Sequence, residues 1–226
     1  MRLPMQWVQQ DRYPLFMCDY RSKIHQFFPN AETIPRITSS VLSRLQHQLK
    51  IPREKILLAT SICSDEVNHN ANGFGHQFKS GEFILGGIGG YPFSGETGLA
   101  AFLSHIPDGG AALIVFGSHV GISKDGYIGL INRHMQSDES TSCGALSLIL
   151  DKFAMDMKKP KIDFYSTDYQ MDFLGKLLFD KRQFLLDSEN PMLEITRYAY
   201  SLIEKDIRKI IRAKKKFIKT GSLYIL

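Results

Sequence analysis

The 226-residue sequence predicts an α/β fold: a central, mostly parallel sheet flanked by helices, with a helical C-terminal region. Three observations carry this. Ala111 to Phe116 is an unbroken apolar run of the kind a parallel strand needs when both of its faces are covered. Lys55 to Ile62 (KILLATSI) is a second short apolar run, closed at once by the cap signal Ser64-Asp65. Several other stretches carry apolar residues at helical spacing. Hydrophobic residues at 43% and charged residues at 23% are ordinary globular values, so the chain can build a core without disulfide staples.

Residues 1–35 carry Trp7, Tyr13, Phe16, Phe27 and Phe28 among prolines and charges, and are expected to pack over the domain as an irregular arm or short helices. Thr38, Ser39 and Ser40 are candidate caps for a helix with Val41, Leu42, Leu45 and Leu49 on its apolar side, stopped by Pro52. Glu82 to Ile88 reads as a second core strand running into the glycine-rich 86–90 stretch, and Gly95 to His105 as a helix burying Leu99, Phe102 and Leu103. After the 111–116 strand, a turn at Lys124-Asp125-Gly126 and a short strand Tyr127 to Ile131 predict a hairpin, from which Arg133 emerges. Gln136 to Ser142 is polar and loop-like. Cys143 opens a helix with Leu146, Ile149, Leu150 and Phe153 facing inward. Two further helices are expected, near Asp168 to Asp180 and from Pro191 through Lys215. The reading is one domain over 1–226, with 1–35 as an arm and 160–226 as C-terminal helices.

The formal charge of +5 is a local property, since Lys205 to Lys219 holds eight Lys or Arg against one Asp. At the C-terminal end of a helix the macrodipole favours such cations, so the cluster reads as a solvated face or a dimer edge, and no nucleic-acid partner is expected. Three cysteines, Cys18, Cys63 and Cys143, make no disulfide framework and fit a reducing, cytoplasmic setting. The N-terminus lacks the apolar run of a signal peptide, and no segment approaches the roughly 20 apolar residues of a membrane span.

Cys63 and His119 fall at the carboxyl ends of predicted strands, where open α/β sheets bind ligands, and the helix that begins at Cys143 can reach the same edge. Two thiols and an imidazole with no fourth protein ligand point to a zinc site left open for water. Buried small-hydrophobe cysteines and a satisfied histidine are the plain alternative, and the gaps of 56 and 24 residues match no short zinc-finger pattern. Asp65, two residues after Cys63, and Arg133 could pair beside that site, holding the carboxylate as an ionised acceptor. An N-cap role for Asp65 and a solvated Arg133 are equally open at this point.

Gly90 to Thr97 (GYPFSGET) superficially matches a phosphate-binding loop, but Glu96 stands where the lysine belongs and would repel phosphate. Gly86 to Gly95 is instead read as a wall of the zinc cleft, with Phe93 as an apolar contact or ordinary core. His69, His76, His105 and His134 are left outside the site, and Cys18 is read as structural. A cysteine-nucleophile hydrolase built on Cys63 or Cys143 with His119 explains two thiols less well than a ligand set does.

CSDEVN at 63–68, GGIGGYPFSGETGLAAFLSHIPDGG at 86–110, FGSHVGISKDGYIGLINR at 116–133 and SCGALS at 142–147 resemble the low-CO2-inducible B/C protein family (LCIB/LCIC-like), which is related to β-class carbonic anhydrases. The resemblance runs from about Phe28 to Leu150. It implies a β-carbonic-anhydrase-like fold, a homodimer, Zn2+ bound by Cys63, His119 and Cys143, and Asp65 with Arg133 as the dyad beside the open position. The implied activity is reversible hydration of CO2 to bicarbonate by zinc-bound hydroxide. The alternative is a catalytically silent, zinc-stabilised member that binds a partner or serves a regulatory role in inorganic-carbon handling.

Overall fold

A computed structural model of the chain describes residues 16–69, 74–78, 80–133, 135–155, 158–214 and 221–225, with side chains from Tyr20 onward. Trp7, Tyr13, the Cys18 side chain, His134 and the stretch 215–219 lie outside the described residues. Within 1–35, α1 spans Phe16–Phe27. The following helix α2 starts at Ile34, earlier than its three hydroxyl residues suggest, because Thr33 caps it by accepting from the Arg36 amide (3.4 Å) and Pro35 fits its first turn. Thr38 is therefore interior, its hydroxyl donating back to the Ile34 carbonyl (2.8 Å). Helix α2 runs to Ser43 and continues as a π turn to Gln48, and Lys50 turns the chain with φ 57 two residues before Pro52. Leu42 and Leu45 are buried, while Leu49 is exposed.

Strands β1 (Ile56–Ser61), β2 (Glu82–Ile84), β3 (Ala111–Phe116) and a late strand at Ser222–Ile225 form one sheet in the order β2, β1, β3, late strand, with every pairing parallel. All six residues of β3 are buried, as its apolar run demands. The two faces alternate with period two. Ala112, Ile114 and Phe116 meet Leu99, Phe102 and Leu103 of α3 (Gly95–Ser104), together with Ile203, Ile207 and Ile211 of the long C-terminal helix Pro191–Lys214. Ala111, Leu113 and Val115 face Leu42 and Leu45 of α2. Each fully buried aliphatic side chain contributes about 1.5–3 kcal/mol, so the face pattern fixes the register.

The expected core strand over Glu82 to Ile88 is shorter and lies at the edge of the sheet, with Ile84 exposed. The Leu85 and Gly86 amides both turn to the Thr60 carbonyl (2.7 and 3.2 Å), which ends the extended run. The predicted hairpin also differs. Ile122 and Ile128 make only an isolated bridge, and the paired strands are β4 (Leu130–Asn132) and β5 (Glu139–Thr141), the latter inside the segment expected to be a loop. Beyond them come α4 (Gly144–Ala154), α5 (Tyr169–Leu178), α6 (Arg182–Leu186), α7 (Pro191–Lys214) and β6, the late strand Ser222–Ile225. Helices α4 to α7 close a third apolar cluster that includes Cys63 and Cys143. Among the described residues no helix is long and apolar enough to cross a membrane.

Candidate metal centre

Strands β1 and β3 run parallel in register, Ser61 opposite Phe116, so the chain leaves both at the same edge. The Gly117 amide donates to the Ser61 carbonyl (3.0 Å) and the Ser61 hydroxyl to the Gly90 carbonyl (2.9 Å), which fixes the two exits and the glycine loop together. Gly90 has φ +82, and a Cβ there would strike the Gly117 carbonyl oxygen, so only glycine allows this approach. Cys63 follows β1 by two residues and His119 follows β3 by three. Cys143 is the N-cap of α4, with an extended backbone and no capping bond from its thiol, which leaves the sulfur for the site.

Cys63 and Cys143 are buried with their sulfurs 3.7 Å apart, and the ligand-type atoms of Cys63, His119 and Cys143 all lie within 4.8 Å of one another. Two thiolates on one tetrahedral zinc, each at about 2.3 Å, stand about 3.8 Å apart, so the observed spacing fits a shared ion. His119 Nε2 is buried without a hydrogen-bond partner, the condition expected of a nitrogen whose partner is a metal. The donor set therefore fits Zn2+.

The two thiols perturb each other. Cys63 is held well below the ordinary thiol range, first by the hydrogen bond from Cys143 and then by His119, against the opposing effect of burial. Cys143 is pushed up by its hydrogen bond to Cys63 and by burial, although the first-turn amides of α4 pull the other way. The Gly89 amide, at φ +64 in the glycine loop, donates to Cys63 Sγ (3.1 Å) and supports charge on that sulfur.

Asp65 does both things considered for it. Its carboxylate accepts from the Val67 amide (3.3 Å), capping the short turn Glu66–Asn68, and also takes Arg133 in a two-pronged grip at 3.1 Å and 3.1 Å. Arg133 is not a solvated surface residue. Its Nε donates to the Ser140 hydroxyl (2.8 Å), Nη2 also to the Thr141 carbonyl (3.3 Å), and Nη1 also to Glu66. All five guanidinium donors are engaged. The side chains of Asp65 and Arg133 are only 10% and 17% exposed, against 73% for Glu66. Asp65 Oδ2 stands 3.9 Å from His119 Nε2, which puts a clamped carboxylate beside the ligand triad.

A family model described as limiting CO2-inducible proteins B/C beta carbonic anhydrases matches residues 31–226. The chain belongs to this family. The match extends the resemblance through the C-terminal helices and β6. The crystal structure of PtLCIB4, a homolog of the limiting CO2-inducible protein LCIB, is similar at 27% identity and TM-score 0.79, covering 91% of this chain and 85% of that one. A serine-to-arginine point mutant of PtLCIB4 is similar at 29% identity and TM-score 0.70, covering 84% and 80%. LCIB itself, at 22% identity and TM-score 0.62 with 85% and 80% covered, shares the fold. No curated protein matches the chain.

In this LCIB-type chain the glycine loop contributes to the metal centre through the Gly89 amide. Phe93 packs with Tyr91 (5.1 Å) and Phe173 (5.6 Å) in an aromatic cluster. Glu96, the residue that spoils the phosphate-loop pattern, pairs with Lys214 of α7 (2.8 Å). Of the histidines set aside, His69 Nε2 contacts the Cys63 carbonyl (3.1 Å) and His105 packs edge-on to Phe83. Sequence reasoning missed Glu66, Ser140 and Ser142. Ser142 Oγ lies 3.3 Å from His119 Nδ1. Its place beside Cys143 in SCGALS is the signal that was available.

Proposed function

We propose that the chain is a zinc-dependent carbonic anhydrase, a lyase catalysing the reversible hydration of CO2 to bicarbonate. The observation that carries this reading is the unpartnered His119 Nε2 facing two buried sulfurs, with an arginine-clamped carboxylate 3.9 Å away. Cys63, His119 and Cys143 would hold the ion. When bound, zinc lowers the pKa of a coordinated water from about 15.7 to roughly 7, which supplies a nucleophile at neutral pH.

The protein's own groups do the rest. Asp65, gripped by Arg133 through both oxygens, would accept the hydrogen of the reacting water at Oδ2 and so select which lone pair faces CO2. Arg133 keeps that carboxylate off the metal. With five donors already committed, the guanidinium has none to spare for substrate, which makes it a clamp and not an anion receptor. Two thiolates would neutralise the charge of such an ion, and the Gly89 amide hydrogen-bonded to Cys63 Sγ would temper the donation from that sulfur. The same reading takes 1–226 as one β-carbonic-anhydrase-like domain working as a homodimer.

Stopped-flow CO2 hydration on zinc-loaded protein is the test. The expected result is turnover that Asp65→Ala abolishes while stoichiometric zinc is retained. Undiminished turnover in that variant would refute the role given to Asp65. Stoichiometric zinc with no hydration by the natural chain would favour the silent, zinc-stabilised alternative.

A further inference from the structure

We infer that Ser142 is the positioning residue for His119, its hydroxyl accepting the Nδ1 hydrogen in the tautomer that leaves Nε2 bare towards the two sulfurs. The inference rests on the reading of His119 as a metal ligand and adds a residue to it. A neutral imidazole carries one N–H. For Nε2 to offer a lone pair, that hydrogen must sit on Nδ1, and a buried N–H without an acceptor is costly. Ser142 Oγ, 3.3 Å from Nδ1, is the acceptor provided.

The placement of that hydroxyl is not incidental. Ser142 is buried, and both of its backbone groups are tied to the loop that His119 begins: its amide donates to the Gly129 carbonyl (2.8 Å) and its carbonyl accepts from the Gly121 amide (2.7 Å). The Gly129 amide in turn donates to the Gly121 carbonyl (2.8 Å). At Gly129, φ is +91, and a Cβ would come within 2.8 Å of Met192 Cγ. The loop after β3 and the segment before α4 are thus locked as one piece, with Cys143 following directly. One backbone stretch presents a ligand sulfur and, one residue earlier, the hydroxyl that orients the ligand nitrogen.

A hydroxyl suits this position better than a carbonyl because it donates as well as accepts. In the metal-free chain the same hydroxyl can donate to Nδ1 instead, so either tautomer finds a partner at that nitrogen. With metal bound, the hydroxyl must accept. Removing it leaves an unpaired buried N–H in the loaded state and only a vacant acceptor in the empty one. The penalty therefore falls on metal affinity more than on folding.

The experiment compares the natural chain with S142A and S142T. Zinc affinity is measured by competition with a chromogenic chelator, melting temperature on metal-free protein, and the His119 tautomer by long-range nitrogen–hydrogen correlation in metal-free and zinc-loaded samples. The expected result is a zinc Kd raised about 10- to 100-fold in S142A, the usual cost of removing a ligand's outer partner. Metal-free melting should shift little, and S142T should stand closer to the natural chain than to S142A. An unchanged Kd in S142A overturns the inference while leaving the ligand assignment intact. A natural chain that takes up no zinc sinks that assignment. If S142A does not fold, the loaded natural chain decides: an Nδ1 hydrogen shifted downfield and slow to exchange with solvent, as a hydrogen bond to Ser142 requires, supports the role, and a fast-exchanging Nδ1 hydrogen overturns it.

Discussion

Two acid–base pairs in the molecule look alike by distance and differ in everything else. Glu96–Lys214, joining α3 to α7, is the shorter at 2.8 Å, and its glutamate side chain is 50% exposed. Asp65–Arg133, at the carboxyl edge of the sheet, is longer at 3.1 Å and nearly buried. The lysine offers a rotating ammonium to one carboxylate in water, where such a pair contributes little and salt screens it. The arginine fork is held by two separate stretches, Asp65–Glu66 and Ser140–Thr141, so moving it means breaking several bonds at a site with little solvent contact. What sets the Asp65–Arg133 pair apart from the surface pair is the saturation of the donors and the company of an unsatisfied histidine nitrogen.

The comparison is broken most directly by removing the company. His119→Ala or Cys143→Ser should cost the cleft its stoichiometric zinc and bring CO2 hydration to background, while Lys214→Ala leaves both in place. Metal analysis after dialysis, followed by stopped-flow assay, checks this. Full zinc content in both ligand variants would mean the three atoms within 4.8 Å of one another are not a metal site.

A gentler change tests the fork itself. Arg133→Lys keeps the charge but loses the planar, five-donor geometry, so Asp65 should be released to swing towards the metal. Turnover is expected to fall by at least about tenfold, corresponding to a little over 1 kcal/mol of lost transition-state stabilisation, with zinc retained. The matching exchange on the helical face, Lys214→Arg, should leave activity unchanged, since the half-exposed Glu96 exchanges one cationic partner for another. Equal effects from the two exchanges would erase the distinction between the pairs.

Sequence reasoning brought Cys63, His119 and Cys143 to one edge because that placement needs only local signals. A run such as Ala111 to Phe116 ends where a polar residue begins, and parallel strands bring those ends to one edge. It missed what depends on partners distant in the chain. The strand Ser222–Ile225 is four residues long, half-exposed and defined by its pairing with β3, so no periodicity announces it. The segment over Glu139–Thr141 is polar because it sits in a small two-stranded sheet with little core to cover, and polarity alone reads as loop. Arg133 posed the same problem, since whether an arginine is solvated or saturated depends on Ser140 and Thr141 folding back onto it. Asp65 appeared as a choice between cap and acceptor because a carboxylate has two oxygens, and the structure uses both.

The helical face carries its own half-buried pair, which sharpens the contrast through pH. The Tyr91 hydroxyl donates to Asp206 of α7, and burial first, then Asp206, raises its pKa above the ordinary value of 10.0. A group whose folded pKa is raised contributes stability that is fully present below the unfolded value and is lost as pH rises past it. The natural chain should therefore melt at falling temperature from about pH 9 upward, in part because Tyr91 must stay protonated beside a carboxylate. Tyr91→Phe removes that alkaline loss but also one hydrogen bond to Asp206, so it should melt lower at pH 7.5, by the equivalent of about 0.5–1.5 kcal/mol. The gap should narrow by pH 10.5. A gap that stays constant across that range would mean Tyr91 does not titrate with folding.

The smallest expected effect completes the series. Lys214 lowers the pKa of Glu96, yet Glu96 is exposed and its partner sits on a flexible stem, so most of the attraction is returned to water and salt. Glu96→Gln should leave melting temperature and CO2 hydration within experimental error, in low salt and at physiological ionic strength alike. A loss of turnover in that variant would be the more informative result. It would mean that the register of α3 against α7 is transmitted through the glycine loop to the Gly89 amide on Cys63, so that the helical face is part of the metal centre after all.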